Sequence, residues 1–444
     1  MQKTQISTHQ VIICLLALLL GVIATGVAKI LLWGIQFFTH LFYYQEISAS
    51  PISPANNHLG ILAAFVPIIG GLLVGLLARY GSSAIRGHGI PEVMEKVLLN
   101  ESRIPLNVAF FKPLSAAIAI GSGGPFGAEG PIIATGGALG SILGKIKSIQ
   151  PGERKILLAC GAAGGMTAIF GTPLSAVLLA IELLLFEFRP KSFIPVALSA
   201  VTAGTLHFLF LESGPFLKIS ALAEPSTIAF IVYLASGFIF GPVSVLVTKS
   251  IYFIEDQFEH LPFHWMWWPA LGGVVVGIVG LIEPRTLGVG YGNIQDAVNG
   301  NILIATAASL LFLKFISWAV ALGSGTSGGT LAPLMTLGSL LGLIIGVALN
   351  HYFPELGIDI HIMSLIGMAA LFAGCSRALL ASVVFALEAT QQPMGIIPLL
   401  GACAITYLIS HHLMETSIMT EKIVRRGVRV PHEYYPDDTT PSAK

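Results

Sequence analysis

A lone carboxylate, Glu129, stands inside the run Gly-Ser-Gly-Gly-Pro-Phe-Gly-Ala-Glu-Gly-Pro at residues 121–131. The five glycines of that run leave backbone N–H groups uncovered, so a ligand can approach the main chain. Pro131 and the Ile-Ile-Ala-Thr after it read as the first turn of a helix. Bare amides at the positive end of a helix dipole make an anion site. A carboxylate placed there is either the anion being held or a competitor for it. Two other readings apply to the same run. Glycines at this density also let membrane helices pack closely. A phosphate-binding loop would need Gly-Lys-Ser/Thr after the glycines and a strand before them, and neither is present. An ionisable group within an apolar segment is costly and marks function. The anion reading therefore leads.

A second glycine-flanked turn, Arg86-Gly-His-Gly-Ile-Pro-Glu, sets His88 between Gly87 and Gly89, just ahead of a helix. His88 is either a loop histidine at the membrane surface or a ring donor facing the same anion. Glu182 closes the apolar segment 161–182, with Glu187, Arg189 and Lys191 following at its mouth. It reads first as a structural helix-end residue and second as a stop on a proton route. Cys14, Cys160, Cys375 and Cys403 lie in apolar segments without metal-ligand spacing and read as small buried hydrophobes. An intramembrane enzyme using His88 and Glu129 as acid and base would need a nucleophile or metal ligands nearby, and the glycine-rich motifs offer neither. No metal and no cofactor is expected.

The elements that carry these residues must lie in a bilayer. Hydrophobic residues make up 54% of the 444 and charged ones only 10%, against about a quarter in soluble domains. Mean hydropathy is +0.82. Apolar stretches near 11–33, 60–78, 193–211, 227–250, 266–282, 303–322 and 394–410 are each close to the ~20 residues that cross a membrane. Shorter pieces broken by Gly and Pro lie between them, at 107–120, 131–144, 156–170, 173–185, 331–349 and 363–374. Such breaks are tolerated at membrane depth only where they line a protected cavity. A net charge of zero argues against a nucleic-acid partner. The basic residues Lys422, Arg425, Arg426 and Arg429 place the C-terminus in the cytoplasm.

The second half repeats the first. A shift of 202 lays Gly121-Ser-Gly on Gly323-Ser-Gly and Pro131 on Pro333, and a shift of 206 lays Gly161 on Gly367 and Glu182 on Glu388. Paired halves with glycine-broken helices at matching positions point to a site at mid-membrane between the repeats. Leu331 stands in the second copy where Glu129 stands in the first. One half thus supplies amides and a gate, the other amides alone.

Gly-His-Gly-Ile-Pro-Glu at 87–92, Gly-Ala-Glu-Gly-Pro at 127–131 and Gly-Thr-Leu-Ala-Pro at 329–333 resemble the three signature motifs of the CLC chloride channel and transporter family. Their order and spacing match, and the resemblance runs over nearly the whole chain. It implies an all-α polytopic membrane protein with the CLC fold, two inverted-topology repeats of broken and tilted helices, and a homodimer with a pathway in each subunit. It implies chloride transport by chloride/proton antiport, with a passive voltage- or pH-gated chloride channel of the same fold as the alternative. Glu129 matches the gate and proton acceptor. The anion is implied to lie against His88, Gly89, Gly127, Gly130, Thr330, Leu331 and Met419.

Several positions depart from the family pattern. His88 stands where serine is usual, and Ala128 where a basic residue often precedes the gate. The hydroxyl-bearing tyrosine of the last helix falls near Ile418 or Met419, and the inner proton-transfer glutamate falls on Leu183. Glu182, one residue earlier, is then the candidate for the inner proton route. The asparagine and methionine substitutions of fluoride-selective relatives are not evident around the first motif. The expected organisation is a transmembrane unit at 1–412, with repeats at about 60–212 and 266–412, and a short cytoplasmic helix end and tail at 413–444. The 32 residues after His412 are too few for the paired nucleotide-binding domains some members carry. Expected partners are chloride, protons, the lipid bilayer of an inner or plasma membrane, and a second copy of the chain.

Overall fold

The computed structural model describes residues 8–431 apart from 100, 147–148, 212–213 and 223. The described residues form seventeen α-helices. The first eight are α1 (Thr8–Thr39), α2 (Val66–Tyr80), α3 (Ile90–Leu99), α4 (Leu106–Gly121), α5 (Glu129–Leu143), α6 (Pro151–Phe170), α7 (Pro173–Ala180) and α8 (Pro190–Phe210). The next eight are α9 (Thr227–Glu259), α10 (Trp268–Ile282), α11 (Tyr291–Val298), α12 (Ile304–Gly323), α13 (Leu331–Tyr352), α14 (Ile360–Ser376), α15 (Leu379–Thr390) and α16 (Ile396–Leu413), followed by the short α17 (Glu421–Arg425). The second eight retrace the first. α1 packs on α4, α6 and α8 as α9 packs on α12, α14 and α16.

Eight helical stretches are long and apolar enough to cross a membrane. Seven coincide with the expected spans. The eighth corrects the expectation of a short broken piece at 331–349: α13 runs unbroken for 22 residues to Tyr352. It is also mostly enclosed by protein, which explains why its glycines do not break it. α6 likewise starts earlier than expected, at Pro151, where Gln150 and Glu153 form a capping box.

Close helix pairs at the centre explain most of the glycines. A Cβ on Gly136 would lie 2.1 Å from the Gly161 carbonyl oxygen, and one on Gly161 2.0 Å from that of Gly136. Gly338 and Gly367 meet in the same way, each within 2.2 Å of the other's carbonyl. Small residues bring α5 onto α6 and α13 onto α14 so that dispersion contacts replace the hydrophobic drive that lipid cannot supply. Gly136→Ala and Gly338→Ala are each expected to destabilise the protein by about 1–3 kcal/mol through overpacking against backbone that cannot move. Gly152, with nothing within 4 Å of its Cβ position, is the control. Thermal unfolding in detergent checks this, and equal melting temperatures for all three variants would refute it.

At the base of the fold, α17 is pinned by ion pairs to the rest of the chain. Lys422 binds Glu255 at 2.8 Å, Arg425 binds Asp256 and Glu421, and Arg426 binds Glu95. The hydrogen bonds that Arg425 donates to Asp256 and then Glu421 push its guanidinium above the ordinary value. These contacts hold the basic segment expected at the cytoplasmic end, and with it residues 417–419, against α9 and α3.

Candidate functional site

α5 and α13 point their N-termini at each other. Glu129 is the first residue of α5, two residues ahead of the Pro131 start expected from the sequence. Its side chain does not stay with its own helix. It crosses to the other repeat, where the Ala332 amide donates to Glu129 Oε1 at 2.5 Å and the Leu331 amide also faces the carboxylate. The donors to the carboxylate are therefore the first two residues of α13, Leu331 and Ala332. Glu129 is fully buried, so its charge is balanced by helix-terminal N–H groups, with no cation beside it.

Two glycine amides expected to be bare are engaged in this arrangement. Gly127 and Gly329 form an antiparallel bridge, with N–H to carbonyl distances of 3.2 and 2.9 Å. The Gly89 amide donates to Glu92 Oε2 at 2.6 Å. Gly130 is needed for space: its Cβ would meet the His88 carbonyl at 2.1 Å and Gly329 Cα at 2.9 Å. The three motifs thus touch one another through backbone around Gly130.

His88 is buried, which corrects the surface-loop reading of it. Its Nδ1 and the Thr330 hydroxyl are buried without a partner. Both sit on the motifs expected to hold the anion, and an unpaired buried donor is costly unless a ligand meets it. Met419 is fully buried too, and its amide donates to Ser417 Oγ at 3.2 Å. Tyr252 of α9 reaches this segment from the side, donating to the Ile418 carbonyl at 2.8 Å. Its hydroxyl is spent on backbone.

Glu182 lies away from this cluster. Its two carboxylate oxygens accept from Leu380 and Ala381 at the start of α15, each at 3.0 Å. Glu388 returns the same contact, accepting from Leu174 and Ser175 at the start of α7 at 3.0 and 2.7 Å. The two glutamates cap each other's repeats.

Three residues of consequence, a pair of lysines and a tyrosine, escaped the sequence reading. Lys112 is fully buried and donates to the Ile85 and Gly87 carbonyls, both at 2.8 Å. Lys314 does the same to Thr286 and Gly288, also at 2.8 Å. Each lysine fixes the turn that leads into α3 or α11. The signal was available, since a lysine recurs within an apolar segment at the 202-residue shift. The third is Tyr291, which opens α11 and places its hydroxyl 3.4 Å from Glu129 Oε2.

Residues 70–411 match the family model described as voltage gated chloride channel. The chain belongs to this family, the CLC proteins. This CLC chain is 31% identical over 365 residues to the H(+)/Cl(-) exchange transporter ClcA of Yersinia pestis, across 80% of its own length and 74% of that protein's. It is 29% identical over 399 residues to the transporter of the same name from Salmonella paratyphi B, across 86% and 82%. Among solved structures, a slow cyanobacterial Cl-/H+ antiporter superposes with a TM-score of 0.82 at 23% identity, over 94% of this chain and 97% of that one. A CLC-type fluoride/proton antiporter superposes with a TM-score of 0.73, also at 23% identity, over 92% and 97%. The fold is the CLC fold, all-α and polytopic, with its two inverted repeats meeting at the Gly127–Gly329 bridge.

Proposed function

We propose that this protein exchanges chloride for protons across the membrane and that Glu129 is both gate and proton acceptor. The observation that carries the proposal is the Glu129 carboxylate seated on the α13 amides, where a free anion would sit. While ionised it is a tethered anion that excludes chloride. Once protonated it loses its charge-assisted bonds, swings out with its proton, and leaves the amides to chloride. Competition of proton-bearing and anionic ligands for one set of donors couples the two movements. The relatives named H(+)/Cl(-) exchange transporters support this reading, and none of the chemistry is enzymatic.

The reading extends to the setting of the site. The anion is received by the α13 N-terminal amides with the His88 ring and the Thr330 hydroxyl as further donors, while Gly127 and Gly130 clear the backbone and Met419 closes the cytoplasmic side. The protein works as a homodimer in a bacterial inner membrane, each subunit with its own pathway. The transmembrane unit is 1–412, with repeats at about 60–212 and 266–412, and the matching packing of α1 and α9 supports counting those two helices with the repeats. Reversal potential in proteoliposomes under a pH gradient tests the exchange. A potential that moves with pH establishes coupling. A pure chloride Nernst potential makes the protein a passive channel, the alternative that Leu183 at the inner proton position favours.

The donor set also fixes the affinity. Where relatives offer two side-chain hydroxyls, this chain offers a histidine and a methionine. Each missing charge-assisted bond weakens binding by roughly 1.5–3 kcal/mol, partly restored by His88 in the tautomer that protonates Nδ1. Chloride is expected to bind in the millimolar range or weaker, about −4 kcal/mol. His88→Ala is expected to weaken it further. Isothermal titration of the purified protein reads both, and a low-micromolar constant would contradict the assignment.

A further inference from the structure

We propose that Tyr291 latches the gate, its hydroxyl donating to the Glu129 carboxylate and holding it on the α13 amides against chloride. The proposal rests on Glu129 being the gate. The geometry is specific. Tyr291 Oη lies 3.4 Å from Glu129 Oε2, while the opposite oxygen, Oε1, takes the Ala332 amide at 2.5 Å. One carboxylate is thus gripped from both sides, by main chain on one and a phenol on the other. The ring is held by edge-on contacts with Phe170, at 5.8 Å between centroids, and with Phe216, at 5.1 Å. Phe170 is buttressed in turn by Phe385 at 5.0 Å. Aromatic pairs of this geometry fix orientation, so the hydroxyl is aimed rather than free to rotate away.

The position of Tyr291 gives the latch its function. The residue lines a cavity of about 810 Å3, together with Lys29, Gln36, His207, Phe216 and Arg285. It stands between that cavity and the buried carboxylate. A chloride arriving from the cavity must displace a carboxylate that the phenol helps to retain. The latch belongs to the second repeat only. The turn Gly-Tyr-Gly at 290–292 lies where the first repeat has Gly-Ile-Pro at 89–91, so the hydroxyl has no counterpart there.

Other titratable groups around α11 are committed elsewhere. Lys314 of α12 is bound to the Thr286 and Gly288 carbonyls. Arg285 pairs with Asp296, and His361 of α14 meets the Val298 carbonyl at 2.7 Å. His207 of α8 is on the Ala168 carbonyl at 2.9 Å. Among the described residues, the Glu129 carboxylate meets the Ala332 and Leu331 amides, its own amide and the Tyr291 hydroxyl. A hydrogen bond donated to the ionised carboxylate favours the closed, ionised state. Removing it lets the carboxyl protonate, and the gate open, at higher pH.

The test uses the full chain in proteoliposomes and reads chloride flux against external pH. Tyr291→Phe keeps the ring and removes the donor. Its profile is expected to move toward alkaline pH by about 0.5–1 unit, which raises flux about three- to tenfold above the midpoint. Incorporation of 3-fluorotyrosine at position 291 strengthens the donor and is expected to move the profile the opposite way. A packing defect cannot produce shifts of opposite sign. On a Glu129→Gln background, Tyr291→Phe is expected to add nothing. An unmoved midpoint in Tyr291→Phe, or shifts of the same sign in the two variants, overturns the latch while leaving the gate intact. A pH profile that survives Glu129→Gln overturns the gate itself.

Discussion

Replacing Glu129 by alanine is expected to abolish proton movement while chloride continues to flow at a rate nearly independent of pH. The expectation follows from the seat of the carboxylate. With Glu129 gone, the Leu331 and Ala332 amides have no tethered competitor and remain open to chloride at every pH. In the unmodified protein the sign runs the other way. Under the proposed gating, the carboxylate is expected to occupy the amides above the pH at which Glu129 protonates, and flux to be low. As pH falls through that point the amides are expected to be vacated and flux to rise. Proton transport needs a group that binds the proton and moves, and Glu129→Ala has none. Simultaneous recording of proton and chloride fluxes in proteoliposomes reads both. If Glu129→Ala still drives protons uphill on a chloride gradient, Glu129 is not the gate.

The next largest effect concerns the crossed caps. Glu182→Gln is expected to lower stability far more than it alters coupling. Each oxygen of Glu182 accepts a backbone N–H from α15. Glutamine offers one acceptor and turns an NH2 group toward the second amide, so one charge-assisted bond is lost and one donor is left unpaired. That costs roughly 1.5–3 kcal/mol. Glu388→Gln should lose a similar amount at α7, and the double variant is expected to depart from the sum, because the Ser175 hydroxyl donates to the Ala381 carbonyl and joins the two caps. Leu183 is buried among apolar side chains and carries no proton. A water chain is then the simplest inner route to Glu129, since water needs only a polar opening. Leu183→Glu should leave the exchange ratio near that of the unmodified protein. Melting temperature and paired fluxes on the same preparations decide the matter. A Glu182→Gln protein that melts normally yet loses proton flux alone would make Glu182 the relay.

Much of the fold was legible because repetition is a one-dimensional signal. The shifts of 202 and 206 located both copies of the glycine motifs, and apolar length located seven of the crossing helices. The length of α13 was missed because apolar pattern cannot separate a helix enclosed by protein from a piece that breaks. Contacts across the repeats were hidden for a different reason. Glu129 meets an amide 203 residues away and a phenol 162 residues away, and nothing local in the chain encodes either distance. The engaged amides of Gly89 and Gly127 were invisible too, since a glycine in a motif looks the same whether its N–H is bare or bonded. The helix-packing reading of glycine holds away from the Glu129 cluster. Gly136, Gly161, Gly338 and Gly367 pack helices, while Gly127, Gly130 and Gly329 shape the site.

The Gly127–Gly329 bridge bears on how such a chain can have diverged. The two residues are the same position in the two copies, and they bond to each other. In an ancestral unit that paired with itself, that position would have been its own neighbour. A Cβ on Gly329 would meet the Gly127 carbonyl oxygen at 2.6 Å and one on Gly127 the Glu129 carboxylate at 1.9 Å, so a side chain is blocked at the axis in both copies. Two residues further along, the equivalent positions differ, with Glu129 in one copy and Leu331 in the other. There one copy was free to keep an acid while the other lost it. The single gate proposed for Glu129 is then the asymmetry expected when divergence is constrained at the axis and released just beside it.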